Sequence, residues 1–483
     1  MSIVKHKKEH LQLGLDRKTS AEIKYNDIIF SHLSGGQYRK AMGTAPTITS
    51  AATTSMAGTP REYILGYGTA LDSISVYGFH QDPTYTSGGF KGDNVTTDYA
   101  LSTFNAFSLK FSFIHTGRYF ELEFQTGTTN VFYCKVDDEY ESLTPITETE
   151  NFRQYDFGSS GTRRIDFIAC STTGDQFQMK RLYVGATDDL LKAPLRGPKT
   201  IIIGDSFCGN AANFTLAFAD SMGWDDVWAS GVGGSGYVAT NGDTEPTFGM
   251  RVQHDVIDHN PQVVGIVGSI NDDTFGYTAI YNAAYSLYTT LRAALPKAVI
   301  FAAPTASSGV DGMTSAAIAN HEATKDAAAA AGIIYADVIE RPLGNDSPVS
   351  TTAAYQSLAG ASVVYLDIAW GTNELCFGLP GCTLSLNNDT ERYYVKSTQT
   401  NSGITQCNLV GTLASNNEAD DPVDVIGGSY LVGIGKVGAT TGYGNCDLLV
   451  EAVGVHPTFP AGHYALGYAI ASTLVNAVVG LQD

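Results

Sequence analysis

The spacing of apolar and polar positions changes its period along the chain. Between about residues 61 and 197 the two alternate: Phe120, Leu122 and Phe124 are interleaved with Glu121 and Glu123, and Ile165 and Phe167 flank Asp166. A period of two, broken by Gly-rich turns, predicts an antiparallel β-sandwich over 61–197. The preceding stretch, 1–60, is polar and then rich in Ser, Thr, Ala and Gly (GTAPTITSAATTSMAGTP), which reads as an N-terminal arm and linker.

After Pro198 the alternation gives way to continuous apolar runs followed by helical spacing. KTIIIG reads as a buried strand and CGNAANFTLAFADSMG as a helix. VVGIVG, a helix near 278–295, AVIFAAP, a helix near 314–331 and IIYADV repeat the rhythm. Strand-then-helix alternation predicts a doubly wound α/β domain, a parallel sheet flanked by helices, over 198–340. It is completed by 446–483, where AGHYALGYAIASTLVNAVVG reads as a strongly apolar closing helix. Between the two parts, 341–445 is rich in Gly, Thr and Asn with short β-like runs, and reads as a β-rich insertion.

Composition narrows the classes. At 483 residues the chain exceeds what one hydrophobic core supports, so several domains are expected. A 43% hydrophobic, 16% charged composition is that of a globular protein. The formal charge of −20 disfavours nucleic acid and anionic membrane surfaces as partners and favours a neutral substrate. No apolar run approaches the roughly 18 residues of a membrane span, and no apolar segment follows the basic N-terminus, so neither membrane insertion nor a signal peptide is expected. The seven Cys, at 134, 170, 208, 376, 382, 407 and 446, lack paired spacing and read as buried free thiols. No metal site and no cofactor are expected.

Candidate chemistry gathers at the ends of the α/β strands. Ser206, in GDSF, follows the strand KTIIIG and precedes a helix, so its hydroxyl is expected at the carboxyl end of the sheet, where a developing anion is favoured. By itself that turn is a weak signal, because a Gly-Asp-Ser turn between strand and helix is common capping chemistry. Three further segments follow in order: GVGGSGY at 231–237, GSIND at 268–272 and VHPTFPAGH at 455–463. Together the four resemble the ordered blocks of SGNH (GDSL-like) hydrolases, over about 198–340 and 446–483.

That resemblance implies a flavodoxin-like fold and an esterase with Ser206 as nucleophile and His456 as base. Its oxyanion hole would comprise the Ser206 amide, the amide of Gly234 (with Gly233 next) and the side-chain amide of Asn271. The roles suit acyl transfer, which needs an activated hydroxyl, a base within hydrogen-bond reach and fixed donors aimed at the oxygen that becomes negative. Asn271 is equally readable as a helix cap. Two positions depart from the family pattern: Val453 stands three residues before His456, where an Asp is usual, and Ser269 stands where a Gly is common. Val cannot orient an imidazole, so the partner of His456 is either another carboxylate, Asp447 or Glu451 being nearest, or a backbone carbonyl. His463 reads as a cap of the last helix. His254 and His259 read as bystanders, Trp224 and Trp228 as packing beside the first helix, and Trp370 as a candidate ligand wall within the insertion.

A β-domain placed directly before the catalytic strand resembles the jelly-roll that precedes the SGNH domain in some carbohydrate acetylesterases. What it implies is removal of sugar O-acetyl groups, without a cofactor, from an acetylated polysaccharide or oligosaccharide. The arm, the many Gly and Thr residues and the sandwich-plus-esterase order are similar to phage tail spikes and fibres that deacetylate bacterial surface polysaccharide. That likeness implies a virion location, homotrimers and other phage tail proteins as partners; a bacterial cytoplasmic or extracellular esterase is the alternative setting. A glycan- or receptor-binding tail protein on a catalytically inactive fold is the alternative function.

Overall fold

The computed structural model describes residues 41–64, 73–77, 84–86, 89–91, 110–170, 178–208, 214–240, 246–268, 270–304, 315–338, 349–367, 382–387, 393–401, 404–409, 412–428, 456–457 and 461–480. By packing, the chain divides into two compact units. One runs through Ile202 and takes in Cys208–Val232 and His254–Val263. The other comprises Ile203–Phe207, Gly233–Gln253 and Val264–Asp483.

The first unit is dominated by a twelve-stranded sheet whose described pairings are all antiparallel, centred on the long strands Lys110–Phe124 and Phe152–Ala169. Phe111, Phe113, Phe120, Leu122, Phe124, Tyr155, Ile165 and Phe167 share one buried core, as the alternation predicts. The other side of the strand departs from that prediction. Glu121 is also fully buried, because Thr54 Oγ1 and the Ser55 amide donate to its carboxylate at 2.5 and 2.8 Å. Those donors come from the stretch expected to be linker, and just before them Thr47–Ala51 forms a strand antiparallel to Phe152–Asp156. Residues 47–55 are therefore part of the sheet and its cover, which corrects the expectation of an arm and linker reaching to residue 60. The physical cause is that a buried carboxylate requires donors, and only neighbouring backbone and hydroxyl groups supply them.

Helix α1 (Phe214–Met222) carries Asp220 in its last turn, and the Asp220 carboxylate accepts from Lys135 Nζ at 3.0 Å and Tyr140 Oη at 2.6 Å. Buried Asp225 accepts from Arg164 Nη2 at 3.0 Å and from the Arg196 amide and Nη2 at 2.6 and 2.9 Å. Lys110 Nζ, fully buried, donates to the carbonyls of Asp225 and Val227. Trp224 is buried edge-on to Phe218 of α1, a packing role as expected.

The α/β rhythm yields a five-stranded sheet in the order Val227–Gly231, Thr200–Gly204, Val263–Val267, Val299–Ala303, Ile334–Tyr335. Residues of the first four strands are buried throughout, which is why they read as unbroken apolar runs. The last pair is parallel. Helix α2 spans Phe248–Asp255. Helix α3 (Tyr277–Ala294) buries Ile280, Ala284, Leu287, Tyr288 and Leu291, one stripe at helical spacing, and packs with α4 (Ser315–Ala331). Helix α5 (Ala461–Gly480) buries Leu466, Ile470, Leu474 and Val478. No helix among the described residues is long and apolar enough to cross a membrane. The 341–445 stretch contributes a six-stranded sheet with its own core of Val364, Leu366, Leu384, Leu386, Cys407, Leu409 and Val423.

Candidate active site

The site is assembled from three turns and the segment before α5, all within the second unit. Thr200–Gly204 ends in a glycine, and the chain enters the 3-10 turn Ser206–Cys208 immediately. That turn is set by Asp205, whose Oδ1 accepts the Phe207 amide at 2.9 Å and which also accepts the Ile270 amide. Such an Asx-type bond replaces the backbone pairing that a strand leaving its sheet gives up. Ser206 is left half-buried with its hydroxyl 2.8 Å from Nε2 of His456, 250 positions later. The Phe207 ring lies 5.6 Å from the imidazole, centroid to centroid.

Gly234 has φ +74°, a left-handed conformation that favours glycine, and is half-buried in the turn after Val227–Gly231. Gly233 is buried beside it. Asn271 lies in the 3-10 turn Ile270–Asp272, and its Nδ2 donates to the Ser235 carbonyl at 2.9 Å. The Asn271 amide is thus held against the Gly234 loop, which agrees with neither a lone helix cap nor an isolated side chain. Helix α3 is instead preceded by Gly276, which makes no side-chain cap bond.

Two fully buried carboxylates lie behind these donors, and sequence reasoning gave neither a role. Burial pushes the Asp205 carboxyl up to about 7; the neighbouring Asp272 charge also raises it, while the Phe207 and Ile270 amides and Arg251 pull the other way. Its Oδ2 has no hydrogen-bond partner among the described residues. Asp272 accepts three successive amides, Tyr237 at 2.7 Å, Val238 at 3.0 Å and Ala239 at 2.7 Å. Both residues stood inside the recognised blocks; the signal that could have found them is an acidic residue within an otherwise apolar, turn-forming block.

His463 is the third residue of α5, inside its first turn and not before it, so the expected capping role is replaced by burial. Burial and the adjacent His456 hold its imidazole down to about 3, and its Nδ1 has no hydrogen-bond partner among the described residues. The histidines read as bystanders do have partners: His254 Nδ1 is 3.2 Å from Asp255 Oδ1, and the His259 ring meets Trp228 edge-on at 5.2 Å. Asp447, Glu451, Val453 and Trp370 lie outside the described residues. Among the described residues no group of three His, Cys, Asp or Glu is arranged to hold a metal ion. A hydroxyl and an imidazole in direct contact, beside turns rich in backbone and amide donors, can perform nucleophilic acyl transfer.

No protein-family profile matches the chain, and no curated protein matches it. Among solved structures it is similar to a family two carbohydrate esterase from Cellvibrio japonicus, at 18% identity and a TM-score of 0.42, over 60% of this chain and 91% of that one. It is similar to a salicylyl-acyltransferase from a tetracycline biosynthetic pathway at 13% identity and a TM-score of 0.43, over 58% and 86% of the two chains. An acetyl xylan esterase from the rumen bacterium Butyrivibrio proteoclasticus is similar at 10% identity and a TM-score of 0.39, over 58% and 90%.

Proposed function

We propose that this protein is a serine esterase of SGNH type that removes O-acetyl groups from a carbohydrate. The observation that carries the reading is the 2.8 Å contact between Ser206 Oγ and His456 Nε2, made by two residues that sequence blocks 250 positions apart had already singled out. His456 takes the Ser206 proton as the oxygen attacks the acetyl carbonyl carbon. The resulting oxyanion is held by the Ser206 and Gly234 amides and the Asn271 side chain, and His456 returns the proton to the departing sugar oxygen. Water, deprotonated by His456, then cleaves the acetyl-Ser206 ester, releasing acetate and restoring the hydroxyl. In this reading His456 is oriented by Asp447 or Glu451, or by a backbone carbonyl, and Trp370 is the candidate wall for a sugar.

The finer architecture belongs to the same reading: a flavodoxin-like parallel sheet preceded by a jelly-roll sandwich. Acetylated polysaccharide of a bacterial surface is the substrate that fits the neutral-ligand bias of a chain with net charge −20. A trimeric phage tail protein is the setting that fits the sandwich-plus-esterase order and the Gly and Thr content; a bacterial cytoplasmic or extracellular esterase is the alternative.

The test is acetate release from a panel of acetylated bacterial polysaccharides and from a small aryl acetate, with Ser206→Ala alongside. Release by the wild type that the variant lacks is expected. Equal release by both, or glycan binding without turnover that survives His456→Ala, would replace the esterase by a binding protein on the same fold.

A further inference from the structure

The three donors proposed for the oxyanion stand on three separate turns, and nothing in the chemistry of a backbone amide fixes its distance from a side chain 37 residues away. Whatever joins the Gly234 loop to the Asn271 turn therefore sets the geometry of the hole. Asn271 supplies one link, to the Ser235 carbonyl. The stronger link is one residue on. Asp272 is fully buried and receives the amides of Tyr237, Val238 and Ala239 in succession, so one carboxylate fixes the exit of the loop that begins with Gly233 and Gly234. Charge-assisted bonds of this kind are about twice as strong as neutral ones. The loop has given up a side chain to let the carboxylate in: a Cβ on Gly236 would lie 2.5 Å from both Asp272 oxygens. Beyond the carboxylate, Tyr237 Oη and Tyr288 Oη share a hydrogen bond at 2.7 Å, and Gly236 exchanges backbone bonds with Ala239 and Phe248.

We infer that Asp272 is the positioning residue of the oxyanion hole, holding the Gly234 amide and the Asn271 side chain in register through its clasp on residues 237–239. The inference rests on the esterase reading and assigns no contact with substrate. Asp272 is an acceptor of three amides at once, a task that an asparagine of the same shape fails, because its NH2 would face an N–H. The loss falls on stabilisation of the transition state, so it lowers kcat and leaves KM nearly unchanged.

The experiment is steady-state kinetics on a small aryl acetate for the wild-type chain, Asp272→Asn, Asn271→Ala and the double variant, with thermal unfolding of each. Asp272→Asn is expected to lose about 10²–10³-fold in kcat with KM within about threefold, the range set by losing one oxyanion donor. The double variant should lose much less than the product of the two single losses, because both act on one hole; a substitution that merely loosens the fold would multiply with Asn271→Ala. If Asp272→Asn does not fold, Asp272→Ser, which keeps one acceptor, is read by the same two criteria. An active wild type with Asp272→Asn at full kcat, or with multiplicative losses, overturns the inference alone. A wild type without hydrolysis overturns the esterase reading, and this assignment with it.

Discussion

Gly236 and the carboxylate of Asp272 are in such close approach that a single methyl group on the glycine would stand 2.5 Å from both oxygens. Neither partner can yield cheaply: Asp272 holds three amides, and both backbone groups of Gly236 are hydrogen-bonded. Gly236→Ala is therefore expected to destabilise the second unit by about 1–3 kcal/mol, the usual cost of overpacking, and to lower kcat with it. Thermal unfolding and aryl-acetate hydrolysis measure the two effects. Full stability and full rate in the variant would mean that the loop accommodates a side chain, and that the clasp is loose.

Much of the site was legible because its residues lie in short contiguous blocks. GDSF and GSIND each fix a turn by local chemistry, and the helix and strand periods around them say where the turns fall. What stayed hidden depends on pairings across long stretches of chain. Glu121 reads as an outward-facing member of an alternating strand, and only Thr54 and Ser55, 67 and 66 positions earlier, make its burial tolerable. The strand Thr47–Ala51 was obscured likewise, since Ser- and Thr-rich segments read as linker until a partner such as Phe152–Asp156 is present. Asp272 looks like a surface residue beside the important Asn271; its burial follows from amides 33–35 positions away. Hydrophobic period reports which way a side chain faces and is silent on which distant donors wait there.

In the first unit, Asp225 is the shared acceptor for two arginines. It is 6% exposed, and it receives Arg164 Nη2 at 3.0 Å and Arg196 Nη2 at 2.9 Å along with the Arg196 amide. Arg164 is itself largely buried, so Asp225→Ala would leave a desolvated guanidinium with only Asp166 as its carboxylate. Breaking one side of a buried pair costs about 3–5 kcal/mol. Denaturant unfolding of Asp225→Ala should show that loss, while Asp189→Ala, at an exposed pair with Arg61, should lie within about 0.5 kcal/mol of wild type. A small effect at Asp225 would show that Asp138, whose Oδ2 is 2.7 Å from Arg196 Nη1, and Asp166, beside Arg164, suffice for the two arginines.

His463 gives the acid side of the stability profile its slope. Its native pKa, held down to about 3 by burial and by His456, lies below the 6.5 of the unfolded chain. Between those values the unfolded state carries more protons, so stability is lost as pH falls from about 6.5 toward 3. His463→Leu removes that titration together with a buried nitrogen that has no hydrogen-bond partner among the described residues. Guanidinium unfolding at pH 4.5 and 7.5 should show the variant gaining on wild type at the lower pH by about 2–4 kcal/mol. An equal difference at both values would mean that His463 is protonated readily in the folded protein and is not sealed by α5.

Asp205 acts with the opposite sign over nearly the same range. Its carboxyl, raised to about 7 by burial and by Asp272, keeps its proton in the native state where the unfolded chain, at 3.8, has already released it. The native state therefore binds more protons between about pH 4 and 7, and stability falls as pH rises through that window. Asp205→Asn keeps an acceptor for the Phe207 amide and removes the titration, so its stability relative to wild type should be higher at pH 7.5 than at pH 4.5. Because the Asp205 and His463 slopes oppose, the wild-type profile from pH 4 to 6.5 should be flatter than that of either single variant. The Asp205→Asn, His463→Leu double variant should be flat again. Two single-variant profiles tilting in the same direction would show that one of the two groups is exposed to solvent in the folded state, and the midpoint of its slope would identify which.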